Sequence, residues 1–565
     1  MKVIINDELF KSSFETGRSM IMTLSPDRLL APCYEAMGKK PKAERYCGWE
    51  AKGISGHTLG HYMSALSFLY SVNEDEQAKK LAEYCVNELS LLQGENGYIA
   101  GFPESESFDK VFSDLQNFSA GGFELAGWWV PYYSLHKIFR GLIDIYENIG
   151  TENALRVAMG LGDWTYSTTS KLNNEQRERL LKCEYGGMND VLSRLYKHSK
   201  VEKYKTASLF FCEEKLLIPL SKGEDILTGL HANTQIPKVI GALEVYSNGG
   251  ADYLYSAAQF FWSNVTGVRS YAIGGHGVAE HFCGSEEEPL KTNTCETCNT
   301  NNMITLSIKL WEKDRNGKYF DFIEKALYNH ILPSQDETGM KTYFVGLAPG
   351  NFKVYSSPED SFWCCFGSGL ENPFCYNKLI FNYDEDLYVN LYVESALQDR
   401  NVSASLKSTD ENVMTFEFFG DYNSKVLFRK PIWCKEFKLE YRDKTYSDSH
   451  NGYVELNENF LKGDIVKIHL PRKVEKHIKK DDGKLVYFTY GEIVLAEFLG
   501  SENCPESDHA KGENDFTNQE LIDIVPLTNT DIKKLDGLRF SVDGHTLCPF
   551  YEIIHGRYRI YFETE

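Results

Sequence analysis

What most restricts the fold of this chain is a helical pattern that keeps returning. Residues 61–70, 135–146, 188–196, 236–246 and 302–311 each carry apolar side chains at the three- and four-residue spacing of an amphipathic helix. Each closes on an aliphatic–aromatic ending, often Leu-Tyr. Further helical stretches lie between them, at 78–92, 154–166, 204–217 and 253–265. Alternating helices that return roughly every 50–75 residues predict a solenoid or toroid of helical hairpins. Polar ends of the recurring helices hold His57, His136, Gly186–Gly187 and His231, so one set of ends is expected to converge on a cleft.

Near Asn377 the period changes. Residues 378–383, 386–393, 413–419, 435–441, 464–470, 484–490 and 556–562 read as strands, separated by turn signals such as Asn451-Gly452 and Lys462-Gly463-Asp464. A chain of 565 residues is too long for one core. The expected division is a helical toroid over 16–376, an antiparallel β-sandwich over 377–475 and a second β-rich region over 476–565. Residues 1–15 alternate around Val3, Ile5 and Leu9, and are expected to form a strand that joins the distant β-rich end.

The net charge of −21, with no basic stripe, argues against nucleic acid and anionic membranes, and favours a neutral ligand. It is compatible with a monomer or a homodimer. The first ten residues carry charge from Lys2 onward and hold no 7–15-residue apolar run, so they do not read as a secretory signal. No window approaches the 18 uninterrupted apolar residues of a membrane span. Fourteen cysteines in such a chain are expected to be reduced thiols of a cytoplasmic protein. The 34 Tyr and 34 Phe suit the stacking of sugar rings, and equally suit an aromatic-rich core.

Chemistry concentrates between Glu280 and Cys365. This stretch holds Glu280, the run Cys295-Glu296-Thr297-Cys298 and the vicinal pair Cys364-Cys365. Those cysteines and Glu296 suffice for one thiolate-rich metal site, and a redox-inert site of this kind suits zinc. Glu296 and Cys298, two apart, would point the same way from an extended segment. Adjacent cysteines reach one ion only from a turn, which Gly367 and Gly369 favour. Spacing alone leaves other assignments open. One is a closed structural site of Cys295, Cys298, Cys364 and Cys365; another exchanges Cys295 or Cys283 for Glu296. A Cys-x-x-Cys redox pair lacks its βαβ context here.

Taken together, Cys-Glu-Thr-Cys and the later Cys-Cys-x-Gly-x-Gly-x-Glu resemble the β-L-arabinofuranosidases of glycoside hydrolase families 127 and 146. The blocks Gly56-His57-Thr58-Leu59-Gly60-His61, Trp128 to Lys137 and Tyr490 to Ala496 extend the resemblance over nearly the whole chain. It implies an (α/α)6 barrel and zinc bound by Glu296, Cys298, Cys364 and Cys365. It further implies Cys364 as nucleophile and Glu280 as general acid/base. His57, His136, His231 and Tyr343, with His61 and Glu50, become candidates for binding sugar hydroxyls. Some relatives carry His before the Gly-Gly pair where this chain has Tyr185, which bears on sugar specificity.

The expected activity is therefore retaining exo-hydrolysis of terminal β-L-arabinofuranose from small oligosaccharides or glycosides. The alternatives are the same mechanism on another sugar, or a non-catalytic carbohydrate-binding toroid with structural zinc. Gly346 to Gly350 lacks the context of a nucleotide-binding loop.

Overall fold

The computed structural model describes residues 1–102, 108–109, 111, 118–502, 504–505 and 507–565. The five recurring segments lie inside the helices His57–Asn73, Pro131–Ile149, Met188–Ser199, Ala232–Ser247 and Thr297–Asp314. In each case most of the helix is buried, so apolar or small side chains occur on more than one face. Between them run the helices Glu76–Leu92, Glu152–Thr169, Glu202–Phe210, Tyr253–Asn264 and Lys318–Ala326. Each buried helix packs on the next in the series. A sixth, Cys364–Glu371, packs on both Thr297–Asp314 and His57–Asn73, so the order is cyclic.

Local chemistry sets the helix ends. Asp75 accepts from the Gln77 and Ala78 amides, each at 3.0 Å, and starts Glu76–Leu92. Gly150 ends Pro131–Ile149 with φ 82°, a left-handed position that a side chain would strain. The single helix expected over 204–217 is broken. Glu202–Phe210 stops, and a second helix runs from Glu214 to Ser221. Carbonyls freed at the break are taken by Arg177, which donates to Phe210 O at 2.9 Å and Cys212 O at 2.8 Å.

The remainder is β-rich, in three main sheets. A seven-stranded sheet runs in the order Lys2–Ile5, Ser395–Gln398, Ser403–Asp410, Val413–Phe418, Ile465–His469, Lys438–Tyr441, Lys444–Tyr446. Its first strand pairs antiparallel with Ser395–Gln398, setting Val3 opposite Leu397. A five-stranded sheet faces it, and Phe416 of one meets Phe428 of the other with ring centroids 5.7 Å apart. An eight-stranded sheet is built from strands between Val474 and Glu563. One pair departs from the antiparallel expectation: Leu387–Val389 runs parallel to Val426–Arg429. Three strands of the other sheet, between Ser395 and Phe418, intervene in sequence and return the chain in the same direction.

A buried cation joins helices to sheets. Arg429 is fully buried, with its guanidinium 2.6 Å from both Asp321 and Glu324 of Lys318–Ala326, and its Nε donates to Asn390 O. Arg429→Ala leaves the buried Glu324 and the partly buried Asp321 without their cationic partner. The expected cost is about 3–5 kcal/mol of unfolding free energy, read from urea denaturation. A loss below about 1 kcal/mol would mean that the joint does not depend on this residue.

Candidate active site

The N-terminal ends of the buried helices supply most of the site. Glu296 is the N-cap of Thr297–Asp314, Cys298 lies in its first turn, and Cys364 and Cys365 are the first two residues of Cys364–Glu371. The expected extended segment and glycine turn are thus both replaced by helix starts. A helix start serves as well, because its free amides and positive end favour thiolate and carboxylate. Phe362, at φ 50°, turns the chain into the second helix. Gly367 is needed for close packing, since a Cβ there would lie 2.4 Å from the His61 ring.

Glu296, Cys298, Cys364 and Cys365 are buried, with one ligand atom each, all within 4.8 Å of one another. Glu296 Oε1 lies 3.8 Å from Cys364 Sγ and 3.7 Å from Cys365 Sγ, and the two sulfurs are 3.8 Å apart. Cys298 Sγ is 3.2 Å from Ser368 Oγ. Burial, together with the neighbouring Cys364 and Glu280, pushes the Glu296 carboxyl well above its usual range. Burial, then bonds with Cys298 and Cys364, hold the Cys365 thiol up, and the bond with Cys298, then burial, do the same for Cys364 against an opposing bond with Cys365. For Cys298 burial opposes ionisation, but bonds from Cys364, Cys365 and Ser368 outweigh it and bring the thiol down to about 6. Glu296 Oε2 is buried without a hydrogen-bond partner. Three sulfurs, a carboxylate and an orphaned oxygen fit a thiophilic divalent cation, and this group could hold a metal.

Cys295 lies outside the cluster. It packs beneath Gly275, where a Cβ would fall 2.8 Å from its Sγ, and belongs to a different apolar core with Tyr271 and Val345. The closed four-cysteine arrangement is therefore not the one formed. Cys283 is likewise not part of the group.

Glu280 stands across from the thiols. Ala279 and Glu280 both adopt left-handed backbone, with φ 45° and 68°. The turn is held by Ala279 N to Asn293 O at 2.9 Å and Ala232 N to Glu280 O at 2.7 Å. Tyr343 Oη donates to Glu280 Oε1 and lies 3.7 Å from Cys364 Sγ. His231, the N-cap of Ala232–Ser247, takes the Thr234 amide on Nδ1, which leaves the ring proton on Nε2. That nitrogen faces Glu280 Oε2 at 3.7 Å. Burial alone would raise the Glu280 carboxyl, but His231 and Tyr343 reverse this and lower it.

Cys364, Glu280, Glu296, His231 and Tyr343 line one cavity of about 240 Å³. Cys298 and Cys365 do not reach it, which singles out Cys364 among the three clustered sulfurs. Its apolar walls come from Trp49, Phe123, Trp129, Tyr133 and Phe516, and Glu184 and Asn233 add polar groups. Phe516 belongs to the β-rich part, where no site residue was expected. Its ring packs 4.7 Å from Tyr343, and Glu513 nearby accepts from Trp363 Nε1 at 2.8 Å.

Other candidates lie elsewhere. His57 is fully buried, with Nδ1 2.9 Å from Ile54 O and 3.2 Å from Glu50. Glu50 accepts from the Gly56 and Thr58 amides and so caps His57–Asn73. His61 Nδ1 lies 2.5 Å from Glu371, bracing the cysteine helix from behind. His136 sits against Gly186 and Gly187 and lines a separate, highly charged cavity of about 330 Å³ with Arg140, Arg194 and Lys309. Of the helix-end residues singled out by sequence, only His231 reaches the cleft. Tyr185 is buried and donates to Phe211 O at 2.9 Å. Its neighbour Glu184, which periodicity did not flag, lines the cavity instead.

A small aromatic-walled cleft in which a carboxyl group faces a thiol suits a glycoside hydrolase, the class to which this chain belongs. Residues 2–378 match the catalytic-domain model of the family 127 β-L-arabinofuranosidases, and the chain belongs to that family. Over 169 residues it is 25% identical to a non-reducing end β-L-arabinofuranosidase of Bifidobacterium longum subsp. longum. That match covers 29% of this chain and 22% of the curated relative's length. Two solved structures share its fold. One is Ara127N-Se, a GH127 β-L-arabinofuranosidase from Geobacillus stearothermophilus T6, with TM-score 0.75, 16% identity and 100% of both chains covered. The other is the GH127 β-arabinofuranosidase BT3674, with TM-score 0.77, 16% identity, and 100% of this chain and 96% of that one covered. Among the described residues no helix is long and apolar enough to cross a membrane.

Proposed function

We propose that the chain is a retaining exo-glycosidase that releases terminal β-L-arabinofuranose from small oligosaccharides or glycosides in the cytoplasm, with zinc at Glu296, Cys298, Cys364 and Cys365. The observation that carries this reading is the shared partner Tyr343, whose hydroxyl donates to Glu280 and lies 3.7 Å from Cys364 Sγ. Nucleophile and acid thus face one small cavity. The cyclic packing of six buried helices supports an (α/α)6 barrel over 16–376 as the frame. The facing seven- and five-stranded sheets support a β-sandwich beyond it.

Bound zinc supplies charge neutralisation that keeps the clustered sulfurs as thiolates at neutral pH. Cys364 Sγ attacks the anomeric carbon, and the carbon–oxygen bond breaks with its electron pair passing to the leaving oxygen. That oxygen takes the proton of Glu280. Because His231 and Tyr343 favour ionised Glu280, the carboxyl takes this proton from solvent as substrate displaces its donors. Glu280 then removes a proton from water, the water oxygen bonds to the same carbon, and the carbon–sulfur bond breaks with its pair returning to Cys364. Two displacements give retention.

Hydrolysis of p-nitrophenyl β-L-arabinofuranoside tests the reading. The wild type should release nitrophenol and L-arabinose. Glu280→Gln should lower kcat by about 10²–10⁴ while sugar affinity stays within about threefold. A carbohydrate-binding protein without activity would show no turnover in either form.

A further inference from the structure

Glu184 is the cleft residue that the proposed chemistry leaves without a task. Its side chain is 5% exposed and lines the cavity that holds Cys364 and Glu280. The segment is pinned by backbone, Glu184 N donating to Gly122 O at 2.8 Å, while Tyr185 is locked into the core through Phe211. Among the described residues the Glu184 carboxylate has no hydrogen-bond or ion-pair partner within the protein. A carboxylate so placed is costly to desolvate unless donors reach it. It is not a member of the metal-binding group.

The walls decide which donors these are. Among the described residues no lysine or arginine lines the cavity, whereas three carboxylates do, Glu184, Glu280 and Glu296. A ligand carrying its own negative charge would meet these three carboxylates, with His231, Asn233 and Tyr343 among the other polar groups lining the cavity. A neutral sugar offers what an orphaned carboxylate lacks, two adjacent hydroxyl donors for its two oxygens.

Resting on the reading above, we infer that Glu184 is the specificity-determining residue of the cleft, accepting hydroxyl donors of the terminal sugar and excluding acidic sugars. The preferred ligand is a neutral furanose with free ring hydroxyls. One that carries a carboxylate is rejected by charge.

Binding of a sugar that has no glycosidic bond to cleave separates this inference from the hydrolytic one. Titration calorimetry compares wild type, Glu184→Gln and Glu184→Ala with 1,4-anhydro-L-arabinitol, its two ring-deoxy analogues and its carboxylate counterpart. Loss of a charged acceptor should weaken the parent ligand about ten- to hundredfold in Glu184→Gln. That loss should shrink below about threefold on the deoxy analogue lacking the hydroxyl that Glu184 receives. The carboxylate ligand should bind the wild type at least about tenfold more weakly than the parent, and Glu184→Gln should narrow the gap. Equal losses on all neutral ligands, an unchanged affinity in Glu184→Gln, or no neutral sugar bound by the wild type would each overturn the inference. Binding as expected without nitrophenol release would uphold it and overturn only the hydrolytic reading.

Discussion

Cys364→Ser is expected to lower kcat on p-nitrophenyl β-L-arabinofuranoside by about four to six orders of magnitude, with the fold intact. Serine matches cysteine in shape, so the first turn of Cys364–Glu371 and its packing against His61 persist. What disappears is the polarizable thiolate. A hydroxyl ionises far less readily, and among the described residues no histidine is hydrogen-bonded to Cys364 to serve as its base. The same change at Cys298 or Cys365 removes a sulfur that does not reach the cavity. Those variants should lose metal first and activity as a consequence, whereas Cys364→Ser should lose activity while retaining most of its metal. Metal content by mass spectrometry beside single-turnover kinetics reads the contrast. A Cys364→Ser variant within about tenfold of wild type would remove Cys364 from the nucleophile's role.

Removing the metal is expected to cost stability as well as activity. Without a cation, four acidic groups share one buried pocket. Burial and mutual repulsion push the Glu296 carboxyl well above its usual range. A bound cation relieves that burial and repulsion, so metal binding is linked to the stability of the folded state. A cation held a thousandfold below its free concentration contributes about 4 kcal/mol. Dialysis against a strong chelator should lower the melting temperature by several degrees and abolish turnover, and one equivalent of zinc should restore both. Full activity in a chelated, metal-free sample would overturn the metal-dependent reading.

Helical periodicity made the five recurring helices legible because they run 12–19 residues and carry an aromatic near their ends. It failed at 204–217, where side-chain pattern continues through a break that Arg177 stabilises from another helix. Parallel pairing of Leu387–Val389 was hidden for a related reason, since local pattern carries no information on direction. Within the site, Glu280, Glu296 and the cysteines were legible as a motif, but how the chain presents them was not. Spacing suggested strand and turn where the structure uses two helix starts. His57 and His136 looked like ligands for sugar because they stand at helix ends within blocks that resemble the family. Yet one is held by Ile54 and Glu50, and the other faces a different cavity. Glu184 and Phe516 carried no signal, because one neighbours a glycine pair that drew attention to Tyr185 and the other arrives from a distant irregular segment.

The strand Lys2–Ile5 has a consequence for how the molecule is made. Its partner Leu397 lies almost four hundred residues downstream of Val3. At about 5–20 residues per second of synthesis, the strand waits roughly 20–80 s before its partner exists. During that time it is an unpaired edge on a growing chain. Brevity and the charges of Lys2 and Asp7 guard it against the wrong neighbour. The seven-stranded sheet therefore closes on a strand made long before its partners, and the hydrogen bonds between Lys2–Ile5 and Ser395–Gln398 are among the latest that the chain can form.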